Sequence, residues 1–431
     1  MLDPRRAALA LALVLTSGCS NLLGLGGLDF LPPTADASDP PPDDRPPTAP
    51  PRRATRICAS FSHTCAVSDE GTVRCWGSCD SGSCGYGVNR VIGDDETPAE
   101  VGDVAVGGRV VDISCAAYHT CALLEGGSVR CWGSGYWGQL GYGNTNTIGD
   151  DEKPYEAGDV DIPGPARQIV TGDYHTCALL EGGIVQCWGA GDRLGYGDGT
   201  AIGDDETPAA APPDHRAVNR GGEARWIAAG GDLTCAKLRS GELRCWGPAG
   251  DYAQIPADHA PVDFGGEVAK IGLGHDPMCA LLSDGFVRCW GLSTRGQLGV
   301  LFDTPGVSNG PMSPLALIGP PVVQISIGSE YVCAVTNPGD LYCWGNNSLG
   351  QLGYGDTDDV GDDETPARKG PVQVGGKVSA VAAGGLHTCA LLDTGAIRCW
   401  GLGALGDLGY GNIESIGDDE EPSLAGDVPV F

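Results

Sequence analysis

The stretch Cys121 to Gly133, C-A-L-L-E-G-G-S-V-R-C-W-G, decides the fold of this chain, because its skeleton occurs seven times. The skeleton is Cys-Ala, then eight residues, then Cys-Trp-Gly, and its copies begin 56, 56, 58, 44, 54 and 56 residues apart. A spacing in this range is typical of a protein built from repeated structural units. The sequence therefore predicts seven similar units, one after another.

Each copy predicts a β-hairpin. Counting inward from Cys121 and Cys131 leaves a three-residue loop, Glu125-Gly126-Gly127. Such a loop needs a positive φ at its last position, which glycine adopts at little cost. Glycine stands there in every copy, at Gly71, Gly127, Gly183, Gly241, Gly285, Gly339 and Gly395.

This register places the two cysteines of a copy directly opposite each other. Their Cα atoms are then expected to lie about 4.5 Å apart, at the short end of disulfide geometry. Zinc is the alternative, but structural zinc sites usually use cysteines separated by two to four residues. We therefore predict seven cross-strand disulfides: Cys65–Cys75, Cys121–Cys131, Cys177–Cys187, Cys235–Cys245, Cys279–Cys289, Cys333–Cys343 and Cys389–Cys399.

Four other cysteines follow the N-terminal segment, and three pairings of them are possible. Cys79 and Cys84 are close enough in sequence to pair. Cys58 and Cys115 stand in the entering strands of neighbouring repeats, so a bond between them would join the first two units. We favour this pairing.

The first residues have the pattern of a targeting segment. Arg5 and Arg6 precede the apolar run Ala7 to Leu15, and Leu15-Thr16-Ser17-Gly18-Cys19 resembles the lipobox of bacterial lipoproteins. The resemblance implies a signal peptide over residues 1–18 and a lipid on Cys19; secretion with cleavage nearby is the alternative. Ser20, by the same resemblance, disfavours retention in an inner membrane. We expect an exported lipoprotein of the cell envelope, at an outer membrane or the cell surface.

Residues 19–54 predict a tether between lipid and body. Nine prolines stand between Leu31 and Pro51, with aspartates among them. Such a segment cannot bury a core and is expected to be an extended spacer.

Residues 55–431 predict an all-β, seven-bladed β-propeller of four-stranded blades. A full unit has a strand at Val110–Ile113, the hairpin, and a closing strand near Val160. The alanine and tryptophan repeated in each copy share a face, as Ala66 and Trp76 do. They suit stacked sheets in which the tryptophan fills the space beside the next sheet's alanine.

The order of motifs resembles that of the regulator of chromosome condensation repeat family. It runs His-x-x-Ala-Leu, Gly-x-Val-x-Cys-Trp-Gly, Gly-Gln-Leu-Gly-Tyr-Gly and then a proline, and it covers residues 55–431. The resemblance implies a seven-bladed propeller. The family's best-known member is a guanine-nucleotide exchange factor that binds chromatin, and a secreted bacterial relative binds an enzyme through one face. The cysteine pairs depart from the family pattern and suit an oxidising compartment.

Charge argues against nucleic acid as the partner. The chain has 26 basic and 56 acidic residues, a net charge of −30. Nucleic-acid binding depends on neutralising phosphates with lysine and arginine. His63, His119, His175 and His387 recur two residues before a cysteine, and the same position holds leucine, proline or tyrosine in other repeats. We therefore interpret these histidines as structural and not as metal ligands.

A Gly-Asp-Asp-Glu motif is the most distinctive polar feature, and it occurs in five repeats. Its carboxylates are candidates for binding, and calcium is one possible ligand because it takes six to eight oxygens. The motif lacks the alternating pattern of calcium loops, so a solvated loop is the alternative. The candidate residues are Asp94, Asp95, Glu96, Asp150, Asp151, Glu152, Asp204, Asp205, Glu206, Asp362, Asp363, Glu364, Asp418, Asp419 and Glu420.

These motifs follow the third strand of their repeats, so we expect them on one face of the ring. Repeats six, seven, one, two and three are consecutive on a closed ring and would form an acidic arc. Repeats four and five lack the motif and carry Pro248–Val262 and Phe302–Pro321 instead. We expect these segments to offer a less charged contact patch.

The sequence thus favours a monomeric, envelope-anchored propeller that binds a protein and uses no cofactor or metal. No nucleophile–base–acid set and no phosphate-binding loop are recognisable, so we expect no catalysis. Two alternatives remain: guanine-nucleotide exchange, implied by the family resemblance, and an enzyme with its site at the propeller's centre.

Overall fold

The structure is a computed structural model that describes residues 52–218, 221–248, 262, 264–274, 277–299, 306–308 and 321–431. The predicted signal segment, the lipidation site Cys19 and the tether up to residue 51 lie outside the described residues. So do most of Pro248–Val262 and Phe302–Pro321. In the described part, the first strand begins at Ala54.

The described residues form seven antiparallel sheets, each made of strands in sequence order. Blade 1 has β1–β4 (Ala54–Ala59, His63–Ser68, Val73–Ser78, Val91–Ile92) and blade 2 has β5–β7 (Val110–Cys115, His119–Leu124, Val129–Gly133). Blade 3 has β8–β10 (Ala166–Thr171, His175–Leu180, Val185–Gly189) and blade 4 has β11–β13 (Ala224–Gly230, Leu233–Leu238, Leu243–Trp246). Blade 5 has β14–β17 (Val268–Leu273, Met278–Leu282, Val287–Ser293, Gly306–Ser308). Blade 6 has β18–β20 (Val322–Ile327, Tyr331–Thr336, Leu341–Gly345) and blade 7 has β21–β23 (Val378–Ala383, His387–Leu392, Ile397–Gly401).

The first strand of every blade is the innermost. A central opening of about 260 Å³ is lined by the last residue of this strand in all seven blades: Ala59, Cys115, Thr171, Gly230, Leu273, Ile327 and Ala383. Four short helices lie on the outside, α1–α4, at Pro98–Val101, Pro154–Ala157, Pro366–Lys369 and Pro422–Ala425. The predicted all-β, seven-bladed propeller is confirmed, and the helices, which begin at prolines, are an addition to it.

The hairpins have the predicted register. Cys121 pairs directly with Cys131, and the corresponding cysteines are opposite in the other six blades. The last glycine of every hairpin loop has a positive φ, from +79° at Gly71 to +101° at Gly339. The structure bonds the two sulfurs in each blade, with Cα atoms 4.0–4.1 Å apart. It also bonds Cys58 to Cys115 and Cys79 to Cys84.

The fourth strand differs from the prediction. It is two residues long in blade 1, and in blades 2, 3, 6 and 7 it shrinks to one bridge, such as Gly133 with Ile148. Val160 lies in no strand, so the predicted strand near it is wrong, although its N–H donates to Val129 O at 2.8 Å. Between these two contacts the chain leaves the sheet to form α2.

A tyrosine hydroxyl replaces the missing part of that strand. Tyr142 Oη accepts a hydrogen bond from Cys131 N at 3.2 Å and lies 3.1 Å from Cys131 O, which can accept its proton. An outer strand with unpaired backbone groups invites pairing with another chain. The hydroxyl therefore provides hydrogen-bond partners for the backbone N–H and C=O of Cys131, in the middle of the outer strand. The same contact is made by Tyr86, Tyr196, Tyr354 and Tyr410.

Neighbouring blades are joined by two contacts between repeated motifs. Trp188 Nε1 donates to Gln139 O in the Gly-Gln-Leu-Gly loop of the preceding blade at 3.0 Å. The indole lies against Gly141 of that loop, where an added Cβ would be 2.7 Å from Nε1. The tryptophans are buried core residues, as predicted, and a loop glycine of the preceding blade is one of the neighbours of the indole.

The ring closes through the same contacts. Trp76 of blade 1 donates to Asp407 O of blade 7 at 3.0 Å, and Gly411 N donates to Gly93 O. Thr64 Oγ1 lies 2.7 Å from His387 Nε2 across the same seam. Blade 7 thus meets blade 1 through the same contacts by which blade 1 meets blade 2.

Candidate functional site

The loops that follow the first and third strands of each blade emerge on one side of the ring. Strands one and three run in the same direction because each is antiparallel to strand two. We call this side the loop face. It surrounds the mouth of the central opening, where residues such as Phe61, Asp173 and Gly385 lie.

The acidic motifs are positioned by glycine-to-glycine contacts between blades. Gly203 begins the motif of blade 3, and a Cβ added there would lie 2.4 Å from Gly138 O of blade 2. Gly143 N also donates to Gly203 O at 3.1 Å. Gly93, Gly149, Gly361 and Gly417 make the same close approach to the loop of their preceding blades. The five motifs therefore occupy equivalent positions, and they form the arc expected over blades 6, 7, 1, 2 and 3.

Each motif holds its carboxylates close together. In four of the five, one oxygen from each of the three residues lies within 4.8 Å of the others: Asp94–Glu96, Asp150–Glu152, Asp204–Glu206 and Asp418–Glu420. Burial, followed by a hydrogen bond with Asp205, raises the pKa of Glu206 to about 7. The pKa of Glu420 is raised to about 7 in the same way, and a hydrogen bond with Asp363 followed by burial does so at Glu364.

Such a triad concentrates carboxylate oxygens in a small volume. If each carboxylate binds through one oxygen, a motif supplies three of the six to eight oxygens that calcium takes, and a bound calcium would need water or backbone oxygens as well. In chemical terms the arc is best suited to attracting and contacting positive charge.

The four repeated histidines belong to the core. His119 is fully buried, and its Nε2 lies 2.8 Å from Thr176 Oγ1 of the next blade. The Thr176 hydroxyl donates to Gln139 O, so it accepts from His119, which fixes the Nε2–H tautomer. Burial lowers the pKa of His63, His119 and His175 to about 3 and that of His387 to about 4. Neutral imidazoles that join blades agree with the structural interpretation.

The central opening carries little reactive chemistry in its described lining. Most of the lining residues are glycine, alanine, serine and aliphatic side chains. Asp173 is the one ionisable side chain among them, apart from Cys115 in its disulfide.

A group of aromatic side chains on the loop face was missed by the sequence reasoning. Tyr118 and Tyr174 stack between blades 2 and 3, with ring centroids 5.3 Å apart. Trp137 meets Tyr174 edge-on at 6.4 Å, and Tyr136 meets Trp137 at 5.2 Å. We call Tyr118, Tyr136, Trp137 and Tyr174 the aromatic patch. The signal in the sequence is that Tyr136 and Trp137 stand outside the repeated motif.

No helix among the described residues is long and apolar enough to cross a membrane.

Comparison with known proteins agrees with the repeat structure. The sequence pattern of the Regulator of chromosome condensation (RCC1) repeat matches residues 54–85, 110–139, 166–193, 322–351 and 378–406, and a second pattern of the same description matches 126–179 and 338–391. The Ultraviolet-B receptor UVR8 of Arabidopsis thaliana is 30% identical over 383 residues, which are 84% of this chain and 80% of the receptor.

Two solved structures share the fold. Human WBSCR16 has a TM-score of 0.62 at 21% identity, covering 79% of this chain and 86% of its own. Yeast RCC1 (Prp20), solved with Kap60, has a TM-score of 0.61 at 21% identity, covering 86% of this chain and 84% of its own. Given the repeated motifs, the seven blades and the match along most of the receptor, this chain belongs to the regulator of chromosome condensation (RCC1) repeat family.

Proposed function

We propose that this chain is an exported, lipid-anchored propeller that binds a protein partner on its loop face and carries out no catalysis. The observation that carries the proposal is the acidic arc, five carboxylate motifs in equivalent positions of consecutive blades, four of which hold their three carboxylates close together. Charge of one sign concentrated on a surface attracts an oppositely charged partner and speeds its association.

The family supports a binding role. One relative is named as a receptor, and yeast RCC1 (Prp20) has been solved bound to Kap60. The described lining of the central opening consists mostly of glycine, alanine, serine and aliphatic side chains, which supports the proposal that the chain carries out no catalysis. The nine disulfides support an oxidising compartment outside the cytosol.

The experiment begins with a partner captured from a surface extract by the immobilised chain. The association rate is then measured for a variant with Asp150, Asp151, Glu152, Asp204, Asp205 and Glu206 changed to their amides. We expect slower association and a weaker dependence on salt. The matched control changes six exposed carboxylates of hairpin loops on the opposite side, which removes the same charge: Asp69, Glu70, Glu125, Glu181, Asp284 and Asp393.

The result is read from the difference between the two variants. Equal on-rates for both would mean that the arc is not the binding face. The identity of the captured protein also bears on the alternative of guanine-nucleotide exchange, since that alternative requires a small GTPase as the partner.

The lipid anchor is tested separately with Cys19→Ala. We expect the variant to lose both membrane association and the mass of the lipid. If fractionation and mass stay unchanged, the chain is not anchored through Cys19.

A further inference from the structure

We propose that the aromatic patch binds a cationic side chain, lysine or arginine, from a basic segment of the partner. This inference rests on the proposed function, because it names the chemistry of the partner's contact residue. It is carried by the geometry of the patch and by the charges around it.

The patch is unusually exposed for its composition. Tyr136 is 71% exposed, Trp137 47% and Tyr118 45%, whereas the seven tryptophans of the repeated motif are buried. A contiguous group of exposed apolar rings on a soluble domain commonly marks an interaction site. Tyrosine, tryptophan and arginine are also the residues most enriched at the energetic centres of interfaces.

The fold does not require aromatic residues at these positions. Trp137 stands just before the glycine of its Gly-Gln-Leu-Gly loop, where the other blades have Ser81, Arg295, Leu349 and Leu405. Tyr136 has no tyrosine counterpart in these loops either. The aromatic identity at this place is therefore specific to blade 2, which favours a role in recognition over one in folding.

The patch already holds one cation of the chain. The Arg193 guanidinium carbon lies 5.0 Å from the Tyr174 ring centroid, within the range of a cation–π contact. Arg193 is fixed there by Asp232, with Nε and Oδ1 2.5 Å apart, and by Asp192. Within the described residues, no cationic side chain lies over Tyr136 or Trp137. Their ring faces remain available for a second cation.

The charges around the patch select a positive partner. Arg193 supplies one positive charge, and Asp173, Asp192 and Asp232 supply three negative charges, a local sum of −2. The side chain of Asp192 is 60% exposed and that of Asp232 39%, so both can face a partner. The motif Asp204–Glu206 adjoins the same loop, since a Cβ added to Gly138 would lie 2.5 Å from Asp204 N. An anionic ligand would be repelled from this surface.

The loop that carries the tryptophan is preorganised. Trp137 N donates to the side-chain oxygen of buried Gln139 at 2.8 Å, and Gly138 N donates to Gly135 O at 2.8 Å. A surface that is already ordered loses less entropy on binding. A cavity of about 680 Å³ lies beside Trp137, Tyr174, Asp192 and Arg193, which leaves space for an entering side chain.

The test uses the full chain and a labelled peptide of alternating arginine and serine, with its glutamate–serine counterpart as the charge control. Trp137→Leu keeps an apolar side chain but removes the π face, and Trp137→Phe keeps a π face. Cation–π contacts of this kind are worth about 0.5–2 kcal/mol, so we expect Trp137→Leu to bind the basic peptide roughly two- to thirtyfold more weakly. Trp137→Phe should retain most of the affinity.

Leu405→Ala is the matched control, because Leu405 is an exposed residue at the equivalent loop position of blade 7. It should leave the affinity unchanged, and melting curves should show that all three variants fold. Unchanged affinity in a folded Trp137→Leu variant would overturn the inference.

The same titrations separate this inference from the proposed function. If the six carboxylate changes weaken peptide binding but Trp137→Leu does not, the acidic arc is the binding face and the aromatic patch is not part of it. If neither the six carboxylate changes nor Trp137→Leu weakens peptide binding, both the proposed function of the acidic arc and the inference about the aromatic patch are wrong. If a neutral oligosaccharide binds in a Trp137-dependent way and the basic peptide does not, the patch is a sugar platform and the cation inference is wrong.

Discussion

Replacing Asp407 by asparagine is expected to stabilise the ring at the seam where its ends meet. Asp407 is only 2% exposed, and its backbone oxygen accepts the hydrogen bond from Trp76 that joins blade 7 to blade 1. The equivalent residues of three other blades are neutral amides: Gln139, Gln297 and Gln351. Asp407 Oδ1 has no hydrogen-bond partner among the described residues.

The expected magnitude follows from the burial of this carboxyl. Burial raises the pKa of Asp407 from 3.8 to about 8. The folded state then keeps a proton that the unfolded chain releases above pH 3.8, so stability is lost as pH rises from about 4 to 8. Each pH unit in this window costs about 1.4 kcal/mol, which amounts to roughly 4 kcal/mol at pH 7. Asparagine removes this cost but buries an amide. A buried amide without a hydrogen-bond partner lowers the free energy of unfolding by about 1–3 kcal/mol, so the net stabilisation is smaller by that amount.

The assay is thermal unfolding of the oxidised protein between pH 4 and pH 8.5, with wild type and variant compared at each pH. The melting temperature of Asp407→Asn should equal that of wild type or fall slightly below it near pH 4, and exceed it increasingly toward pH 8. Asp393→Asn is the control, because Asp393 is an exposed carboxylate in a hairpin loop of the same blade. A difference between Asp407→Asn and wild type that does not grow with pH would refute the reasoning.

Three further outcomes follow from the same structure. Tyr142→Phe removes the hydroxyl that hydrogen-bonds Cys131 N and O, and it should destabilise the fold by about 1–3 kcal/mol. Tyr136→Phe, which changes an exposed tyrosine, is the control and should leave the stability unchanged. Equal melting temperatures for the two variants would contradict the proposed role of the Tyr142 hydroxyl. His119 has its pKa lowered by burial to about 3, so its contribution is complete above pH 6.5 and is lost as pH falls toward 3. The His119→Gln variant should therefore lose less stability than wild type between pH 6 and pH 4, and parallel pH profiles in urea denaturation would argue against a buried neutral imidazole. Removing calcium with a chelator should leave the melting temperature unchanged, because the three carboxylates of a motif supply only three of the six to eight oxygens that calcium takes if each binds through one oxygen; a clear drop would mean that a calcium ion is bound.

The sequence alone was sufficient for the features that are local in the chain. The cysteines of a hairpin are ten residues apart, and a glycine at the turn sets their register, so the opposed pairs follow from spacing. The sevenfold recurrence of one skeleton led to the blade number, because each sheet needs a neighbour to bury its faces. The family followed from the order of the same motifs.

The tertiary structure decided the features that depend on contacts between blades or on the path of the chain around a blade. The predicted fourth strand was misplaced because Tyr142 replaces backbone partners with one hydroxyl, and no periodic pattern encodes such a substitution. The glycine of the acidic motif has its partner one blade away, and the ring closes between residues more than 300 positions apart, such as Trp76 and Asp407.

The aromatic patch shows the same division between sequence and structure. Tyr118 and Tyr174 are 56 residues apart, one repeat length, at equivalent positions of blades 2 and 3. They meet only because closing the ring stacks the same position of adjacent blades, and Trp137 joins them from a different loop. Repetition in the sequence determined which residues build the blades. The packing of blades around an axis decided which unrepeated residues lie together on the surface.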